Sequence, residues 1–153
     1  MQLRHVIVLT AAALGTVAAT AQTFKPEDQI KYRQSVMQVT QRSLGALNGM
    51  IRGDTPYNKE LAVKHAETIA NLIAWSGASF GPGTDKGAPT RADARIWSEP
   101  DKFKALYDKH IAEAGKLPAA AAGDANTLKA QFAEVTRNCK TCHDDYRSRE
   151  YRN

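Results

Sequence analysis

The chain has 153 residues, and 21 lysines and arginines against 16 aspartates and glutamates give it a net charge of +5. That length allows a single domain with a real core. The charge is modest and spread along the chain, which argues against a nucleic-acid partner and leaves a mild preference for acidic redox partners.

The N-terminus reads as a targeting segment. Arg4 and His5 form a short positive start, and Val6 to Val17 is an apolar run broken by Thr10, Gly15 and Thr16. Spanning a bilayer takes about 20 apolar residues, so the run is too short for a membrane anchor. Ala19-Thr20-Ala21 supplies the small residues a signal peptidase reads, so residues 1–21 are expected to be a cleaved signal peptide. The mature domain, residues 22–153, then starts at Gln22, and its compartment is the periplasm. Loss of Arg4 leaves 20 basic and 16 acidic side chains, a net charge of +4.

The mature sequence reads as helices with no convincing strand. The first opens at Pro26, with Glu27 and Asp28 at its positive end, and stops at Gly53-Asp54. Its apolar seam is Ile30, Arg33, Met37, Thr40, Leu44, Leu47 and Ile51, in alternating steps of three and four. Thr55-Pro56 is expected to start the second helix, with Leu61, His65, Ile69 and Leu72 buried and Gly77 near its end. A glycine- and proline-rich loop follows from Phe80 to about Ile96. Ser98-Glu99-Pro100-Asp101 opens a third helix whose apolar face is Phe103, Leu106, Tyr107, His110 and Ile111. Pro118 and Gly123 bracket an alanine-rich connection. Asp124 caps the last helix, whose seam is Leu128, Phe132, Val135, Cys139, Cys142 and Tyr146. Arg147 to Arg152 reads as a solvated helix end. Short connections make neighbours antiparallel, so the expected fold is all-α, an up-down-up-down four-helix bundle.

The chemistry lies in Cys139-Lys140-Thr141-Cys142-His143. On a helix, residues three and four apart share a face. Two thiols at that spacing can each add to a vinyl group of one porphyrin, and the next histidine then projects toward the iron. The spacing is the attachment pattern of haem c, with histidine as axial ligand. Three rivals fail. A thioredoxin-like pair would sit at a helix N-terminus after a strand, not deep in a final helix. A zinc site would need four ligands, and no second cysteine pair or His-x-x-x-His is present. A disulfide between residues three apart constrains the unfolded chain very little.

These segments together resemble the class II cytochromes c, and within them cytochrome c-prime. The resemblance is carried by Lys25-Pro26-Glu27-Asp28, Ile30 to Ser35, Phe80-Gly81-Pro82-Gly83-Thr84, Ile96-Trp97-Ser98 and Cys139 to Arg147. It implies a four-helix bundle with one haem c, bonded through Cys139 and Cys142 and ligated by His143. It further implies that Arg33 and Gln34 contact the haem near its propionates, that Thr90 and Arg91 are further haem contacts, and that Arg147 lies beside the proximal face. A homodimer through the first two helices is also implied, and Val36, Val39, Leu47 and Met50 offer surplus apolar surface for it.

Plainer readings stand beside these. Arg33 on a buried seam needs a partner, which propionates would supply. Gln34, Thr90 and Arg91 could simply be solvated, and Arg147 could be a cation near a helix C-terminus. His65 and His110 read as packed, hydrogen-bonded core histidines, and Trp75 and Trp97 as core or interface aromatics. Met37 stands where the family's first helix faces the open side of the iron, and three readings remain. It shields a five-coordinate iron that binds nitric oxide or carbon monoxide, it ligates iron in a low-spin electron carrier, or it fills the core. The expected function is therefore that of an electron-transfer haem protein able to bind diatomic gas, with small redox proteins as partners. The alternative is a Met-ligated carrier without a gas role. An enzyme is disfavoured, since no carboxylate pair or Ser-His arrangement is apparent.

Overall fold

The computed structural model describes residues 24–152. The expected signal peptide lies outside them. Four long helices, α1 (Pro26–Arg52), α2 (Lys59–Ser76), α4 (Pro100–Ala114) and α6 (Ala125–Tyr146), form the bundle. Between and after them come β1 (Thr90–Ala92), a single turn α3 (Arg95–Ser98), the short α5 (Leu117–Ala121) and β2 (Arg147–Arg152).

Local chemistry sets most boundaries. Pro26 and Pro100 occupy first-turn positions of α1 and α4, where a missing N–H is harmless. Gly53 closes α1 at φ 78°, a left-handed conformation glycine adopts freely, and Asp54 N–H bonds back to Gly49 O at 2.9 Å. Asp124 caps α6, its carboxylate accepting the Thr127 N–H at 2.8 Å. The expected start of α2 needs correction. Thr55-Pro56 lies in the connection, and the cap is Asn58, whose Oδ1 accepts the Leu61 N–H at 3.0 Å.

Cross-helix contacts fix the directions. Ser43 meets His65 and Arg33 meets Ser79, so α1 and α2 run antiparallel. Glu113 meets Gln131 and Phe103 meets Tyr146, so α4 and α6 do too. Tyr107 hydroxyl, on α4, donates to Ile73 O at the end of α2 at 2.9 Å. The result is the up-down-up-down bundle.

One core cluster joins Leu47 and Met50 of α1, four residues of α2, Ala114 of α4, Leu117 and Ala121 of α5, and Leu128 and Val135 of α6. A smaller one joins Ile96, Phe103, Tyr107 and Tyr146, with edge-on ring contacts at 5.1 and 5.2 Å between Phe103 and its neighbours Phe80 and Tyr146. The buried stripe of α2 is Ala62, Ala66, Ile69 and Ile73, not Leu61, His65 and Leu72. Two alanines there let α2 approach its neighbours closely. On α1, Val36, Ser43 and Met50 are buried where Met37, Leu44 and Ile51 were expected.

Two further expectations fail. The alanine-rich connection is helical, and Leu117 and Ala121 bury its inner face completely. The chain also does not end as a solvated helix. It turns at Arg147 and pairs antiparallel with β1, with Ala92 opposite Arg147 and Thr90 opposite Arg152 across an irregular register.

Candidate functional site

A cavity of about 610 Å³ opens between α1, α4 and α6. All nine residues singled out in the sequence line it: Arg33, Gln34 and Met37 from α1, Thr90 and Arg91 from β1, Cys139, Cys142 and His143 from α6, and Arg147 from β2. Leu44, Ile73, Ile96 and Phe103 add apolar surface.

The helical repeat of α6 places both thiols and the imidazole of His143 on its cavity side. The cysteines are free rather than bridged. Burial pushes both thiols up, that of Cys142 to about 11 with help from Cys139 and Asp145. Such thiols are protonated at neutral pH, the opposite of what disulfide exchange requires. Burial and then the Arg147 cation hold the His143 imidazole below its usual value, so it is neutral and can offer a lone pair to a metal.

Arg33 is placed as expected but partnered differently. It is only 4% exposed, and among the described residues no carboxylate forms an ion pair with it. Its Nη1 donates to Ser79 O at 3.1 Å and Thr84 Oγ1 at 3.3 Å, and its Nη2 to Thr84 O at 2.9 Å and Thr90 Oγ1 at 3.0 Å. The Phe80 and Trp97 rings lie 5.0 and 5.7 Å from the guanidinium carbon. Desolvation lowers its pKa to about 10, against a smaller opposing effect of Asp85. Propionates are therefore not needed to satisfy it. Arg33 ties the loop after α2 to the bundle.

Gln34 makes a similar tie, donating to Pro89 O at 2.9 Å. Thr90 is buried, and its hydroxyl also accepts the Ala92 N–H at 3.2 Å. Arg91 donates from Nε to Ser148 O at 2.8 Å and lies over the Tyr151 ring at 6.0 Å. Arg147 is exposed at the start of β2. Met37 is 36% exposed, so it is not core filler.

The remaining histidines and tryptophans follow their plain reading only in part. His65 is half-buried with Nδ1 3.4 Å from Ser43 Oγ. His110 is buried, but it lines the cavity and its Nδ1 has no hydrogen-bond partner. Trp97 packs and donates to Gly81 O at 3.0 Å, whereas Trp75 is 64% exposed. Tyr107 and Tyr151, which also line the cavity, had no role assigned from sequence. Tyr107 sits on the expected apolar face, but nothing local marks Tyr151.

The arrangement fits a haem c. The cavity volume falls in the range of sites that enclose a large organic group, about 300–1,000 Å³. It combines two free thiols, a neutral imidazole, apolar walls and guanidinium groups at Arg91 and Arg147. The buried unpartnered polar atoms of Thr40 and His110 also belong to its lining.

Comparison with known proteins agrees. A family profile for cytochrome C' matches residues 28–147. Cytochrome c' of Alcaligenes xylosoxydans xylosoxydans is 39% identical over 129 residues, covering 82% of this chain and 98% of that protein. Cytochrome c' of Rubrivivax gelatinosus is 36% identical over 126 residues with the same coverage. The crystal structure of the Rubrivivax gelatinosus protein superposes with a TM-score of 0.79 at 37% identity, over 83% of this chain and 100% of that one. A nitric oxide complex of a point variant of cytochrome c prime from Alcaligenes xylosoxidans superposes with a TM-score of 0.77 at 37% identity, over 84% and 100%. Fold, cavity chemistry and relatives converge: the chain belongs to the cytochrome c' family and carries one haem c bonded through Cys139 and Cys142.

Proposed function

We propose that this is an exported, periplasmic cytochrome that transfers electrons and takes up nitric oxide or carbon monoxide at a five-coordinate iron, and is not an enzyme. The observation that carries the reading is the shared cavity, with Met37 on one helix and the cysteine-histidine set on another. The nitric oxide complex of a relative 37% identical supports the gas-binding part. Haem, when bound, supplies one-electron redox chemistry and affinity for diatomic gases. The chain's residues define everything else. Cys139 and Cys142 would hold the group, and the neutral His143 nitrogen would ligate its iron. Arg91 and Arg147 would balance its carboxylates, Gln34 and Thr90 would lie beside it, and Arg33 holds the loop that carries Thr90. Met37 would shield the iron without bonding to it.

Residues 1–21 direct export and are removed, and small redox proteins are the electron partners. Among the described residues no helix is long and apolar enough to cross a membrane.

Optical and EPR spectra of the purified protein and of Met37→Ala test the iron assignment. The expected wild-type spectrum is high-spin, with carbon monoxide binding faster and more tightly once Met37 is trimmed. A low-spin wild type that Met37→Ala converts to high-spin, with a fall in reduction potential, would instead establish a Met-ligated carrier without a gas role. That alternative has its own support, since the Met37 side chain lines the cavity rather than the core.

A further inference from the structure

Arg33 and Arg91 wall the same cavity, but they differ in which nitrogens are engaged. Both terminal nitrogens of Arg33 donate, to Ser79, Thr84 and Thr90. Arg91 is held at the other end of its guanidinium, where Nε donates to Ser148 O at 2.8 Å. Among the described residues its Nη1 and Nη2 have no hydrogen-bond partner and it forms no ion pair, although the side chain is half-buried. A guanidinium grips a carboxylate either through Nε and one Nη or through both Nη atoms. With Nε taken by a carbonyl, only the end-on grip is left.

The contacts that hold Arg91 come from β2. The Tyr151 ring lies 6.0 Å from the guanidinium carbon, within cation–π reach. Thr90 is opposite Arg152 and Ala92 opposite Arg147, so the backbone of Arg91 is tied on both sides. Asp93 N–H donates to Tyr146 O at 2.9 Å where α6 gives way to β2. Packing does not account for this docking. Among the described residues β2 adds nothing to either core cluster, and Tyr151 is 69% exposed while still lining the cavity. An arginine side chain has large rotamer entropy, which binding must remove unless the group is already held. β2 holds it.

We propose that β2 is a positioning element: through Ser148 O and the Tyr151 ring it presets the terminal nitrogens of Arg91 to receive one haem carboxylate end-on. The inference rests on the haem reading and deepens it.

The test is a redox titration of the haem-loaded chain from Gln22 onward. Reduction adds negative charge, so a cation held beside the haem favours the ferrous iron. Arg91→Gln should therefore lower the equilibrium constant for reduction by about fivefold. A chain ending after Arg147 lacks Ser148 O and Tyr151. That truncation should lower the constant about fivefold more with Arg91 present than in the Arg91→Gln background. Charges lost with residues 148–153 act in both backgrounds and cancel in the comparison. Tyr151→Leu should lose part of this coupling, and Tyr151→Phe, which keeps the ring face, should restore it. A second readout on the same protein is independent of the iron. Trypsin reaches the bond after Arg149 only when β2 leaves β1, so Arg91→Gln should speed that cleavage about fivefold. Equal effects of truncation in the two backgrounds would overturn the proposal, as would an unchanged cleavage rate. Tyr151→Leu indistinguishable from wild type would do the same, and that variant changes a mostly exposed residue and leaves the bundle intact. If Arg91→Gln itself left the potential unaltered, the pairing of Arg91 with a haem carboxylate would fall too, whereas loss of the coupling alone would leave that pairing standing.

Discussion

Arg33 forms no ion pair among the described residues, and its burial lowers its pKa, yet it is among the most heavily bonded side chains of the cavity wall. Its stability comes from four hydrogen bonds and two aromatic faces rather than from an ion pair. Arg33→Leu would leave Ser79 O, Thr84 O and Thr90 Oγ1 without this donor in a buried site. The expected loss is about 3 kcal/mol or more in denaturant unfolding, since each unsatisfied buried group costs about 1–3 kcal/mol. Arg33→Lys should not rescue it, because one ammonium cannot reproduce the fork. His143 gives a spectral prediction instead. His143→Ala leaves both thiols in place, so haem should stay covalently bound while the spectrum and potential change; an unaltered spectrum would refute the axial assignment. His110 adds a pH effect. The unfolded chain takes up a proton as pH falls through about 6.5, whereas folded His110 resists until about 4. Stability should therefore be independent of this residue above pH 6.5 and fall by about 2–3 kcal/mol between pH 6.5 and 4. Denaturant titrations across that window should show the slope, and His110→Asn should flatten it.

The end of α2 is where one element presses hardest on another. A β-carbon on Gly77 would stand 3.0 Å from Tyr107 Cε1. The Tyr107 ring cannot easily give way, because its hydroxyl is held by Ser76 Oγ at 2.6 Å and Ile73 O at 2.9 Å and Phe80 and Phe103 flank it. Gly77→Ala should thus destabilise the protein by about 1–2 kcal/mol in thermal or denaturant unfolding, even though the helical backbone there suits alanine. Elements with strong end signals were legible in the sequence, as Pro26, Pro100 and Asp124 illustrate. The start of α2 was misread because Thr55-Pro56 and Asn58 are both capping sequences, and only the folded geometry chooses between them. Stripe positions on α1 and α2 slipped by one where apolar residues are adjacent, as at Val36-Met37 and Leu61-Ala62. β2 was illegible for a different reason. Arg-Ser-Arg-Glu-Tyr-Arg carries no apolar alternation, and its partner is a three-residue strand more than fifty positions away. The cavity residues were found because attachment spacing and family resemblance bypass such ambiguities. The unpartnered Nδ1 of His110 was not foreseen, because an unpaired nitrogen is a property of three-dimensional surroundings.

At the scale of the whole molecule, the homodimer that the family resemblance implies would have to use the apolar surface left outside the bundle. Most of the surplus that the sequence offered for a dimer is spent internally, with Val36, Leu47 and Met50 all buried and only Val39 exposed. Other exposed residues replace them. Tyr32 and Val39, seven positions apart, share one face of α1, while Leu61 and Trp75 are exposed on α2. Because the two helices are antiparallel, Tyr32 and Trp75 lie toward the same end of the pair. Tryptophan and tyrosine are the side chains that most often dominate association energy, and a standard interface needs about 800 Å² from each partner, an area that a pair of long helices can supply. The α1–α2 face is also clear of the cysteine-histidine set on α6, so pairing there would leave attachment of haem unaffected. Sedimentation equilibrium of the haem-loaded protein should accordingly show a homodimer. Trp75→Glu should weaken it by about 30-fold or more, the effect of losing roughly 2 kcal/mol at a central aromatic contact. The haem spectrum of that variant should match wild type. A single monomeric species of wild-type protein at high micromolar concentration would exclude the dimer.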